Sequence, residues 1–95
     1  MKEVNLKDTF AKKLGMRTTA KKLFDDIKNE DKVILNFKDI EFMSRSFAQE
    51  YIYQKYNSNI EITEENMNDF LKGLLSIVES DYVETCLWNG LIRKV

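Results

Sequence analysis

The apolar positions of this 95-residue chain change period several times. Val33, Ile34, Leu35 and Phe37 form a nearly unbroken apolar run rich in β-branched residues. A run that short predicts a strand covered on both faces, as in a parallel sheet. Ile40 and Phe42 alternate with charged neighbours and are expected to extend the β character. Phe47, Ala48, Tyr51, Ile52 and Tyr56 then fall at helical spacing. Ser46 and Gln49 stand three apart, the spacing of a capping box, which predicts a helix opening at Ser46.

The flanking segments repeat this alternation. Val4 and Leu6 suggest a brief edge strand. Leu14-Gly15-Met16 reads as a bend. Thr18 or Thr19 is the expected N-cap of a helix whose apolar face is Ala20, Leu23, Phe24 and Ile27, ending near Asn29. Downstream, Ile60 and Ile62 alternate with Glu61 and predict a short strand. Thr63 is expected to cap a further helix, with Glu64 and Glu65 in its first turn and Met67, Phe70, Leu71, Leu74, Leu75 and Val78 as its apolar face. Gly73 weakens that helix and suggests close packing. In the tail, Asn89-Gly90 between apolar runs is a hairpin signal, whereas Val83, Leu87, Trp88, Leu91 and Ile92 keep helical spacing. The reading taken is a helix ending at Asn89-Gly90 and a short extended end, with Trp88 completing the core or an interface.

This alternation predicts an α/β class: a small layer of mostly parallel β-sheet packed with about three to four helices. The length predicts one domain over residues 1–95, with the structure of 80–95 left open. No apolar run is long enough to span a bilayer, and the first residues lack a secretory h-region, so a cytoplasmic location is expected.

Composition narrows the chemistry. The chain has no histidine and a single cysteine, Cys86. A Ser-His-Asp triad, a Cys-His pair, a His-based zinc site and an intramolecular disulfide are therefore excluded. No catalytic residues, no metal ligands and no cofactor are assigned. Asp25-Asp26 reads as a solvated helix face and Glu64-Glu65 as a helix N-terminus. The net charge of −1 hides an asymmetry: residues 1–22 hold seven Lys/Arg against two Asp/Glu, and the remainder is acidic.

Leu35-Asn36-Phe37-Lys38-Asp39-Ile40-Glu41-Phe42-Met43-Ser44-Arg45-Ser46-Phe47-Ala48-Gln49-Glu50 resembles the signature of the STAS-like domains of uncharacterised function. Gly15-Met16-Arg17 is similar to the short Gly-x-Arg approach of that family. The resemblance covers about residues 15–78 and is specific around Ser44–Glu50. More distantly, the stretch is similar to the anti-sigma-factor antagonists, whose pattern ends Phe-Met-Asp-Ser-Ser-Gly-Leu-Gly. Phe42-Met43 matches directly, and the serine phosphorylated in the antagonists falls on Ser46.

The resemblance implies a non-enzymatic regulatory module. Its partner surface would comprise Ser46, Ser44, Arg45, Phe47, Gln49, Glu50 and Arg17. The implied partner is a protein, a GHKL-type ATPase kinase, with Ser46 as the switched residue. Two other readings stand beside it. A small nucleotide binder would use Met43–Ser46 beyond the carboxyl ends of the strands, although no Gly-rich phosphate loop is present. An accessory to a DNA-associated system would use Lys12, Lys13, Lys21 and Lys22. Neither a nucleic acid nor a membrane is the expected partner.

Overall fold

The structure is a computed structural model that describes residues 2–88, with side chains described to Thr85. The elements run β1 (Lys2–Asn5), α1 (Leu6–Thr9), β2 (Lys13–Leu14), α2 (Arg17–Ile27), β3 (Lys32–Asn36), β4 (Phe42–Met43), α3 (Arg45–Asn57), β5 (Glu61–Glu65) and α4 (Asp69–Trp88). The three longer strands form a parallel sheet in the order β1-β3-β5. β2 and β4 form a second, two-stranded parallel pair. This is the α/β class that the alternation predicts.

Strand order dictates the layering. The steps from β1 to β3 and from β3 to β5 go the same way across the sheet. Right-handed crossovers therefore put α2 and α3 on the same face. α3 packs against both α2 and α4, so all three long helices form one layer. The sheet turns Val4, Val33, Leu35, Ile62 and Glu64 toward that layer. No described element covers the opposite face. The expectation that the central strand is covered on both sides is thus corrected: Val33 and Leu35 are buried, and Ile34 is only half-buried.

Local turn chemistry corrects four further expectations. β3 stops at Asn36 because its side-chain oxygen accepts a hydrogen bond from the Lys38 N–H at 2.9 Å. Asp39 follows at φ 63°, and Ile40 and Phe42 do not prolong the strand; Phe42 starts the separate β4. α2 begins at Arg17 after an extended Met16, so Thr18 and Thr19 lie within the first turn and neither is the cap. Leu6 starts the short α1 rather than continuing β1. Thr63 does not open α4: it lies within β5 with Glu64 and Glu65. Asn68 does the capping, its Oδ1 accepting from the Leu71 N–H at 2.8 Å.

The helical expectations for apolar faces hold better. Ala20, Leu23, Phe24 and Ile27 are all buried, as are Leu71, Leu75 and Val78. Met67, which precedes α4, and Leu74 are only half-buried, and Phe70 departs further. It is half exposed and stacks on Phe42 at 6.2 Å. α4 extends as a helix to Trp88; Asn89-Gly90 and the end of the tail lie outside the described residues, as do the contacts of Trp88.

Gly73 has no packing role among the described residues, because a Cβ added there would meet none of them within 4 Å. Gly73→Ala should therefore stabilise the protein by about 1 kcal/mol, the helix-interior difference between the two residues. A rise in the urea midpoint with an unchanged m-value is the expected result. A fall would mean that the helix face needs the bare backbone.

Polar bonds stitch the helices to the sheet and to each other. The Tyr51 hydroxyl donates to Glu64, whose Oε2 also accepts from Lys55 at 3.2 Å. The Tyr56 hydroxyl donates to Glu79 at 2.6 Å. Burial, with the neighbouring Glu64 carboxylate, pushes the Tyr51 phenol well up. The Glu79 bond raises Tyr56 from 10.0 to about 12. Both phenols titrate later in the folded state than in the unfolded chain. The contribution of Tyr56 is complete below pH 10 and is lost as pH rises toward 12, and that of Tyr51 is likewise lost only on the alkaline side. Urea midpoints should fall over that window, and Tyr56→Phe should shallow the fall. An unchanged slope in that variant would contradict the assignment.

Candidate functional site

The β2–β4 pair builds a corner where two helices begin. The Ser44 N–H donates to the Leu14 carbonyl at 2.9 Å, which continues the ladder and holds Ser44 extended. Helical geometry therefore starts one residue later. The Ser44 hydroxyl is used twice: its Oγ accepts from the Phe47 N–H at 3.0 Å and donates to the Gly15 carbonyl at 2.8 Å. The first bond caps α3. The second fastens the start of α3 to the turn that launches α2.

The capping expectation for Ser46 is overturned by this geometry. Ser46 is the second residue of α3, not its cap, and Gln49 closes no capping box with it. Residue spacing alone fits either serine. The β4 ladder decides, since only Ser44 has the extended backbone that a cap requires. Ser46 is exposed, and its hydroxyl makes no hydrogen bond among the described residues.

Arg17 joins the two helix starts a second time. Its Nη1 lies 3.2 Å from Glu50 Oε1, and its Nη2 donates to Gln49 Oε1 at 3.4 Å. Glu50 is only 6% exposed, and its other oxygen accepts from Gln54 at 2.8 Å. The buried carboxylate is thus paired and hydrogen-bonded, as a buried charge must be. Arg45 reaches across to α4 and pairs with Asp81 at 3.1 Å.

The sequence-predicted residues therefore separate by accessibility. Ser46, Arg45, Gln49 and Arg17 are exposed, and Ser44 is half-buried. Phe47 and Glu50 are buried, so their side chains lie behind the surface rather than on it. Phe47 is fully enclosed and stacks on Tyr51 at 6.2 Å. Asp81 was not foreseen. It belongs to a helix that the sequence pattern placed without assigning its neighbours. Beside Gln49, a groove of about 230 Å³ runs between α3 and α4, lined by Val78, Asp81, Tyr82 and Thr85.

The helix ends at the corner are positive, while the two guanidinium groups beside them are paired with Glu50 and Asp81. Neither α2 nor α3 carries an acidic residue in its first turn. Two positive helix-dipole ends meet there beside the Arg17 and Arg45 guanidinium groups, an arrangement that favours anionic groups. Among the described residues, no cluster of three or more Cys, Asp or Glu is placed to hold a metal ion. No described helix is long and apolar enough to cross a membrane.

A parallel sheet under a single helical layer, with a serine-bearing helix start at its corner, defines a small α/β domain of the STAS-like kind. A family model described as "STAS-like domain of unknown function (DUF4325)" matches residues 19–72, and the chain belongs to that family. The match runs from the first turn of α2 through β5 into α4, so Gly15-Met16-Arg17 lies just before it. No curated protein and no solved structure gives a significant match.

Proposed function

We propose that this protein is a non-enzymatic regulatory module that docks a partner protein at the corner where α2 and α3 begin. The observation that carries the proposal is the division of labour between two serines. Ser44 is occupied by capping and by the Gly15 carbonyl. Ser46 is exposed in the first turn, and its hydroxyl is unengaged among the described residues. A kinase could modify Ser46 without disturbing the bonds that hold the corner together.

The partner proposed is an ATPase of the GHKL kinase type, on the strength of the similarity to the anti-sigma-factor antagonists. A phosphate on Ser46 would add roughly −1.5 to −2 charge. The α3 N-terminus would stabilise that charge where it stands, and no refolding is needed. The docking surface would gain negative charge, and a partner selected for the unmodified surface would leave.

The test is affinity capture of the tagged chain from its own cells, with intact-mass analysis of the same sample. Wild type and Ser46→Asn should retain a GHKL-type ATPase, and Ser46→Asp should release it. A fraction of the wild type should carry one phosphoryl group at Ser46. Equal capture by the Asp and Asn variants, with no phosphate at Ser46, would end the switch reading.

A further inference from the structure

The face of the sheet turned away from the helices has its own chemistry. Register places Glu3 and Asn5 of β1, Lys32, Ile34 and Asn36 of β3, and Glu61, Thr63 and Glu65 of β5 on it. No described element covers them. Wholly parallel sheets are ordinarily covered on both faces. Here Ile34, at the middle of the central strand, is left half-buried.

The charges on this face do not cancel. Three carboxylates stand against the one ammonium of Lys32, a net charge of −2. The only described bond to the three carboxylates is from Asn36, whose Nδ2 donates to Glu3 Oε2 at 3.3 Å. None of the three forms an ion pair among the described residues, although Asp25, Asp39, Glu41, Glu50, Glu64 and Asp81 all do.

We propose that the open face around Ile34 is a second docking surface, taking a basic amphipathic helix of another protein. Charge decides between the possible occupants. A second copy stacked face to face would set like carboxylates against each other, and anionic lipid or nucleic acid would be repelled. A cationic segment is attracted. The dimensions suit a helix: Glu61 and Glu65 are four strand residues apart, about 13 Å, which about nine helical residues span. Such a helix rests one apolar side chain on Ile34 and brings Lys or Arg to Glu3, Glu61 and Glu65. This face lies across the sheet from the layer that holds Ser46, so the two surfaces can be occupied together and either can fail alone.

The test is a titration of the isotope-labelled chain with a Lys/Leu amphipathic helical peptide of about 16 residues, with a Glu/Leu peptide of the same pattern as control. Backbone amide shifts should concentrate on Glu3, Ile34, Asn36 and Thr63. Glu61→Lys with Glu65→Lys should weaken binding by roughly tenfold or more, as removal of facing charge contacts does. Glu61→Gln with Glu65→Gln should weaken it less and guards against loss of fold. The proposal is overturned by shifts centred on Glu79, Asp81 and Glu84 of α4, by unchanged affinity in the charge-reversed variant, by equal binding of the acidic peptide, or by no binding of the Lys/Leu peptide.

Discussion

Phe47→Ala should destabilise the protein by about 4 kcal/mol, within the range for removing a fully buried aromatic ring. Phe47 has no exposed surface and stacks on Tyr51, which also meets Phe24 at 5.8 Å and Phe37 at 6.3 Å. Deleting the ring opens a void where α2, α3 and the turn after β3 meet. A domain of this size has about 5–15 kcal/mol in total, so the melting temperature should drop by ~20 °C. Thermal and urea denaturation followed by circular dichroism would measure this. Partner binding by the variant should fall only in step with its folded fraction. A variant with native stability and lost binding would instead place the ring on the docking surface.

Ser44→Ala should cost about 2 kcal/mol, while Ser46→Ala should stay within about 0.5 kcal/mol of wild type. Ser44 supplies two separate contributions: the α3 cap, roughly 1 kcal/mol, and the bond to the Gly15 carbonyl, roughly 1 kcal/mol more. Ser44→Asp separates them. Aspartate can accept from the Phe47 N–H but cannot donate to Gly15, so it should recover about half of the loss. Denaturant midpoints of the three variants decide the matter. Equal losses at positions 44 and 46, or a larger loss at 46, would contradict the cap assignment and return Ser46 to a structural role.

Several parts of the fold were readable from local pattern because local pattern causes them. The faces of α2 and α4 follow from 3.6-residue spacing, and the buried members Ala20, Leu23, Phe24, Ile27, Leu71, Leu75 and Val78 all lie on the expected stripes. The resemblance around Ser44–Glu50 also led to the family, since that stretch combines a short strand with a helix start. Two of the errors share a cause. Each concerned a polar residue whose role depends on a partner far along the chain. Ser44 and Ser46 look equivalent until Leu14 and Gly15 come to meet one of them. Glu64 looks like a helix-start residue until Tyr51 and Lys55 draw it beneath α3.

The order of apolar and polar residues was enough to specify alternating strands and helices, the faces the helices bury, and the lack of any histidine-based chemistry. It could not specify how the strands are ordered across the sheet. That order, β1-β3-β5, is a property of the folded chain, and with a single crossover hand it sends α2 and α3 to one side, where α4 packs on α3. The open face around Ile34 and the joined starts of α2 and α3 are consequences of that packing. Groups separated by 29 or 33 positions, the Ser44 hydroxyl with the Gly15 carbonyl and Arg17 with Glu50, become neighbours only when the layers close.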